Sequence, residues 1–417
     1  MSDSKHLLEI SELSAKIHIA NNWSEAKIAG ICTGLGTFSD PYLIEDKVID
    51  GFGSGICILI ENSDSYVTIK NCTLANAHLG IRLSYTKNVH ILNNTCLSHL
   101  FGISLYFSSN NSISGNLSFD NEFEGITLLD SDKNNISENI EHNNSHYGIS
   151  LFDSDNNGIF NNIINSGLEL GGMFNNVSGN IMKECGLQIS VSNTDNFYFQ
   201  YIDTSNLVNG KPLYYYTNKH YLGPNNFTNA GQIIMASCSD TFITHVNLSY
   251  TGTGLTLINC HDNIITKSFI DNNQRDGIYI FGGENITISN NTARYNMQEG
   301  ILLEYSINNL CTENNVSHNN YNGFYCYRLE NSIISKNNIS YNKNYGIRFF
   351  YCINNTISKN ILIGNTECFY IDSLSEGNIF QNNDCRSPEP IILGYNIYLL
   401  LGILSICVII FSKKIKN

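Results

Sequence analysis

Glycine returns every 23 residues along most of this chain, and that regularity restricts the available folds more than any other feature. Gly102, Gly125, Gly148 and Gly171 are 23 residues apart, as are Gly231, Gly254, Gly277, Gly300, Gly323 and Gly346, with Phe369 in the next place. Gly55 and Gly80 begin the series with less even spacing. A fixed period in the low twenties, with no helical pattern inside it, marks a solenoid of stacked coils. The LxxLxLxxN frame of leucine-rich repeats, which share this length, is missing.

A short alternating stretch follows each glycine: GIRL at 80, GISL at 102, GITL at 125, GISL at 148, GLTL at 254 and GIYI at 277. A period of two sends the second and fourth side chains one way and the others outward. Second short strands follow in NSISGN, NNISEN, NITISN and NTISKN. A single unit cannot bury its own apolar face, whereas stacked units place Ile81, Ile103, Ile126 and Ile149 in one internal ladder. The abundant asparagines fit the same scheme. Asn tolerates left-handed turns, and aligned amides bond along a stack whose strands lie roughly 4.8 Å apart. The expected fold is all-β: a single-stranded parallel β-helix of about thirteen coils with an axis of roughly 60 Å.

The repeat GIxL…NxISxN resembles that of the right-handed β-helix family typified by NosD and the carbohydrate-binding and sugar-hydrolase (CASH) repeats. GICTGLGTFSDPYLIEDKVIDG, 30 to 51, is similar to the entry module of those proteins, and IDTSNLVNGKPLYYYTN, 202 to 218, to their mid-helix interruption. The resemblance runs from Ile17 to Cys385. It implies a right-handed coil and an exported, surface or periplasmic setting. It leaves the activity open, because the family is functionally mixed, and brings in copper-site maturation as one candidate role.

The expected organisation is a cap (1–30), a first β-helical half (31–186), an interruption (187–230), a second half (231–386) and a linker (387–390). In the interruption, NGKP reads as a turn and LYYY as a strand. Residues 391–411, IILGYNIYLLLGILSICVIIF, carry no charge and are long enough to cross a bilayer as a helix, with Tyr395 and Tyr398 toward one interface. Lys413, Lys414 and Lys416 in the tail (412–417) place the C-terminus in the cytoplasm and the β-helix outside, in a single-pass cell-membrane protein. MSDSKHLLEISELSAKIHIA has no uninterrupted apolar stretch of the secretory kind, so outward display carries the expectation of a leader missing from this sequence.

Only 14% of residues are charged and the net charge is −14. Without a basic stripe to neutralise phosphates, nucleic acid is excluded as a partner. The 13 cysteines form no CxxC, which excludes a zinc module of paired ligands. They are expected as small buried apolar residues, with Cys72 and Cys96 the nearest to a disulfide in an exported domain.

Outward positions of the first strand carry Tyr279, Phe281, Glu304, Tyr325, Tyr327, Arg348 and Phe350. Aromatic faces suit the apolar side of sugar rings, and Arg and Glu bond hydroxyls or carboxylates, so a polysaccharide or glycoprotein is the candidate ligand. The competing reading is that the rings only stabilise an exposed sheet. One coil apart, Asp130 should lie over Asp153 and Asp132 over Asp155. Four stacked carboxylates call for a cation, calcium being the candidate, or for turn N–H donors. NTD occurs at 193–195, but the paired Asp, GHG and RIK segments of β-helical pectin hydrolases are missing. No catalytic residue is assigned, and a polysaccharide lyase or hydrolase stands as the alternative function. For copper, His142 and His146 fall on strand and turn, His78 and His146 lie three coils apart, and the five methionines form no cluster. Among the Asn-X-Ser/Thr sequons, Asn226 in the interruption is the expected glycosylation acceptor. The function expected is non-catalytic: glycan or ligand binding, or structural display.

Overall fold

The computed structural model describes residues 13–190 and 194–386. The expected membrane helix at 391–411, its linker and its basic tail lie outside the described residues. Among those described, no helix is long and apolar enough to cross a membrane.

The chain is a parallel β-solenoid in two parts. In the N-terminal solenoid, one eight-stranded sheet runs from Ile17–Ala20 to Leu187–Ile189, and a second from Tyr42–Glu45 to Tyr201–Ile202. A third runs from Val48–Asp50 to Leu207–Val208. The first of these holds the strands that follow the glycines. Its register sets Ile81 beside Ile103, Ile103 beside Ile126, and Ile126 beside Ile149, all fully buried. A helix, Trp23–Ile28, covers the first coil. Trp23 stacks on Tyr42 at 4.4 Å and donates to Ser63 Oγ at 2.9 Å.

Close approach explains the recurring glycine. A Cβ on Gly300 would lie 2.3 Å from Val316 Cγ1, and one on Gly323 2.4 Å from Ile339 Cγ2. The glycine strand turns so tightly over the next inner side chain that no methyl fits. Near coil ends the register relaxes. Gln232 pairs with the place of Gly254, and Cys368, rather than Phe369, follows the place of Gly346. Gly171 also departs from its expected place. Leu168 pairs with Ile149, so Gly167 succeeds Gly148 after only 19 residues, through a shortened Asn165–Ser166 turn.

The asparagines divide into two classes. Exposed ones such as Asn93, Asn161 and Asn290 hold positive φ angles of 53°, 56° and 55°. The residue after each is a buried asparagine that bonds along the stack. Asn291 N and Nδ2 donate to Asn314 Oδ1 at 2.9 and 3.1 Å. Asn314 Nδ2 in turn donates to Ile288 O at 2.8 Å and Asn337 Oδ1 at 3.0 Å. The ladder thereby satisfies backbone groups that each turn leaves unpaired inside the protein.

The interruption is a change of direction between two complete coils. Leu187–Ile189 and Leu207–Val208 finish the N-terminal solenoid, and Lys211–Thr217 opens the C-terminal one. Val208 pairs with Lys211 in antiparallel fashion across Asn209 and Gly210, whose φ angles are 51° and 75°. That is the two-residue hairpin turn that Asn-Gly favours. The third sheet therefore continues into the glycine strands of the C-terminal solenoid, giving sixteen strands that end at Glu367–Ile371. Two smaller sheets, of seven and five strands, complete the C-terminal coils.

Cys368 and Cys385 form a disulfide in the last coils. Cys72 and Cys96 are free thiols. The register pairs Thr73 with Thr95, so Cys72 faces Asn94 and Cys96 stands over Leu74, which corrects the expected pairing.

Asn314→Ala is expected to lower unfolding free energy by about 2–5 kcal/mol, since it orphans the buried Asn291 N–H and Ile288 carbonyl. The exposed left-handed Asn331, changed to Gly, is expected to alter it by less than about 0.5 kcal/mol. Urea midpoints of the two variants check the contrast.

Candidate functional site

The end of the N-terminal solenoid lies against the first coils of the C-terminal one. Gln232 accepts from Leu187 N at 2.9 Å and donates to Leu187 O at 2.8 Å. Tyr215 OH donates to Phe197 O at 2.6 Å, and Asn259 Nδ2 donates to Tyr198 OH at 2.6 Å. Ile234, Ala236, Ile258 and Tyr279, all outward-facing on their own strands, are buried in the core of the other solenoid.

This contact splits the expected aromatic face. Tyr279 is 5% exposed and its hydroxyl donates to Glu304 Oε2 at 2.8 Å. Burial, with the Glu304 carboxylate beside it, pushes its pKa well above the usual phenol range. Phe281 packs half-buried against the same core. Burial also raises the Glu304 carboxyl, with the Tyr279 hydrogen bond opposing. Tyr279 and Phe281 therefore belong to the junction, and Glu304 stands at its edge.

The remaining residues stay on one surface and acquire neighbours. Tyr325, Arg348 and Tyr370 lie side by side on successive strands. The Arg348 guanidinium sits between the two rings, 5.0 and 5.4 Å from their centroids, and its Nε is buried without a partner. Phe350 stands 5.9 Å from the same guanidinium. A parallel stack flanks it. Arg328 lies 5.3 Å from Tyr305, 5.7 Å from Tyr327 and 5.7 Å from Tyr351. Tyr305, Arg328 and Tyr351 share positive φ angles of 49°, 52° and 56°, which splay their side chains outward together at the strand ends. Both arginines thus lie among aromatic rings.

A second cluster forms at the junction from residues far apart in sequence. Arg275 NH1 donates to Tyr147 OH at 3.0 Å across the two solenoids. Ser150 Oγ donates to Glu169 Oε2 at 2.9 Å. His146 Nδ1 is 3.6 Å from Glu124 Oε1. Burial raises the carboxyls of Glu124 and Glu169, against the opposing pull of His146 and of the Ser150 hydrogen bond respectively. Asp276, fully buried, is pushed up further by burial and then by the charge of Glu299, whose backbone N–H donates to Asp276 Oδ1 at 3.1 Å. A cavity of about 610 Å³ opens beside Tyr147 and Arg275, lined chiefly by amides and hydroxyls. Of these residues the sequence singled out His146 alone, weighed there as a copper ligand. The signal of the others is slight: Glu124, Tyr147, Asp276 and Glu299 each precede a repeat glycine.

Asp130 and Asp153 are exposed at left-handed turn positions. Asp132 Oδ1 accepts from Asp155 N at 2.8 Å, and Asp155 Oδ1 from Met173 N at 2.7 Å. These two carboxylates bond the backbone one coil on, the turn-donor alternative to calcium. Among the described residues, no group of three or more His, Cys, Asp and Glu is placed to hold a metal ion. Asn226 is exposed in the Pro224–Phe227 turn, where its Oδ1 accepts from Gly223 N at 2.9 Å.

Residues 21–196 and 190–394 match the family described as periplasmic copper-binding protein (NosD). No curated protein sequence matches the chain. Among solved structures, the periplasmic alginate epimerase AlgG is similar at 13% identity and TM-score 0.25, over 84% of this chain and 85% of that one. The Azotobacter vinelandii mannuronan C-5 epimerase AlgE4 A-module is 13% identical at TM-score 0.28, over 86% and 94%. Tailspike protein 3 of bacteriophage CBA120 is 9% identical at TM-score 0.29, over 81% and 51%. At these scores the likenesses carry nothing about the chemistry of this chain. Copper would call for converging His, Met or Cys donors. Here the ten free thiols among the described residues are buried, and His99 is enclosed by backbone, its Nε2 3.0 Å from Leu74 O. The donors present among the described residues do not fit a copper site.

Asp276 gives a pH test. Its folded pKa lies above the unfolded value, so the folded chain keeps a proton that the unfolded chain releases, and stability falls as pH rises past the ordinary carboxyl range. Asp276→Asn is expected to stabilise by about 1–3 kcal/mol at pH 8 and to change little at pH 4. Urea unfolding at both pH values measures the difference.

Proposed function

The chain belongs to the NosD family, and from that premise we propose that it is a non-catalytic binder of saccharides, with acidic sugars preferred. One observation carries the reading: Arg348 is held between Tyr325 and Tyr370 with an unpartnered Nε. A guanidinium fixed by ring stacking loses little freedom on binding, and its planar fork matches a carboxylate. The neighbouring rings of Tyr327, Phe350 and Tyr351 offer apolar faces to the same chain of sugars. Arg328, exposed in the adjacent stack, repeats the arrangement. The spacing of one coil, about 4.8 Å, is close to the length of one sugar unit along an extended polymer.

A polysaccharide-processing enzyme is the second reading, favoured by the Tyr147, Glu169 and Arg275 cluster. Glycoside hydrolysis does not fit the carboxyls of that cluster. It asks for two carboxyls separated by about 5–9.5 Å across the scissile bond, whereas Asp276 is buried, accepting from Glu299 N at 3.1 Å. The display part of the reading rests on residues 391–411 as a membrane anchor that holds the solenoids outside the cell.

On a glycan array, the full chain should retain uronate-containing polymers. Arg348→Ala and Arg328→Ala should each weaken that binding about tenfold, in keeping with a charge-assisted bond of about 1.5–3 kcal/mol. Neutral glycans should be indifferent to either change. Absence of binding to any glycan would sink the proposal. On intact cells, added protease should digest the solenoids. Protection until lysis would reverse the assigned side.

A further inference from the structure

The outer face of the N-terminal glycine sheet holds a cavity that the saccharide reading does not use. It has a volume of about 490 Å³, within the range of small-molecule sites. Its walls are Leu79, Phe101, Tyr106, Phe123, Leu129 and Phe152, contributed by successive coils, and the lining is almost wholly apolar. The rings of Phe101 and Phe123 stack at 5.3 Å. Sugar hydroxyls would find few partners here, and each would be desolvated at a cost. The cavity therefore selects an apolar body.

Arg82 also lines this cavity. Its guanidinium lies over the Tyr106 ring at 5.1 Å. Among the described residues it has no ion pair, and its side chain makes no hydrogen bond. Glu124, the carboxylate in the same lining, is two strands away, roughly 10 Å along the sheet, and faces His146. A cation on an apolar, aromatic surface without a counter-charge leaves an attraction unanswered, and burial beneath a ligand would strengthen it. One guanidinium fork matches one carboxylate through two parallel bonds.

The geometry points to a binding site for an amphipathic monocarboxylate, an acyl chain or aromatic ring bearing one carboxylate, with the carboxylate on Arg82 and the apolar body along Phe101, Phe123 and Phe152. Ser104, the next outward residue beside Arg82 in the register, supplies a hydroxyl at the polar end, and Thr127 lies one strand further along the floor. The site is independent of the Arg328 and Arg348 stacks, which lie on the other solenoid.

The test uses the full chain in lipid nanodiscs, photolabelled with a decanoic acid carrying a diazirine at its far end, with the labelled peptides mapped by mass spectrometry. Label is expected on residues 79–152, displaced by decanoate and not by decylamine. Arg82→Gln should lose at least tenfold of that label with an unchanged melting temperature. Competition by 2-naphthoate tells an aromatic acid from a fatty acid: stronger displacement than by decanoate assigns the aromatic class, and weaker displacement the acyl class. Label absent from this face, equal displacement by decylamine, or full labelling of Arg82→Gln would each overturn the assignment.

Discussion

The structure depends on vertical register, the bonding of each backbone group to the same position one coil away. A β-solenoid has no second layer to rescue an unpaired turn, so every coil must repeat the path of its neighbour closely enough for main-chain bonds and inner side chains to coincide. The asparagine ladders enforce that coincidence at the corners. Asn314 joins three coils through its side chain alone, by way of Asn291, Ile288 and Asn337. The glycines enforce it elsewhere by excluding any side chain where strand and inner residue meet, as Gly300 does against Val316.

Register also makes the surface a set of columns. A residue type chosen at one outward position stands beside its counterpart on the next strand, so isolated preferences in sequence become stacks in space. Arg348 between Tyr325 and Tyr370 is one such stack. Phe101, Glu124 and Tyr147, in the place just before the glycine, form another column whose character changes coil by coil from apolar to polar. Binding capacity in such a protein comes from where a column changes character, because that is where a ligand can distinguish one coil from the next.

The hairpin at Asn209 and Gly210 interrupts the columns. By reversing direction there, the chain joins the third sheet of one solenoid to the glycine sheet of the other. The glycine-strand face is consequently not continuous along the molecule. Part of it, around Ile234, Ile258 and Tyr279, is covered by the other solenoid, and part is left open beyond Glu304. The same reversal brings Tyr147 to Arg275, which are 128 residues apart.

Much of the coil was legible in the sequence. The internal ladder of Ile81, Ile103, Ile126 and Ile149, the stacked asparagines, and the strand at LYYY all follow from period and residue type, because those depend only on neighbours one coil away. The outward residues Tyr325, Arg348 and Phe350 were legible for the same reason. Small shifts of register were less so: Gly167 replaces Gly171 because a turn is four residues shorter, and Cys72 faces Asn94 rather than Cys96. The sequence by itself determined the coil, its core and its ladders, since a repeat states its own contacts. Only the tertiary structure decided which outward side chains remain available. Burial of Tyr279 and assembly of Tyr147, Glu169 and Arg275 depend on how two solenoids meet, and that meeting joins residues that no period relates.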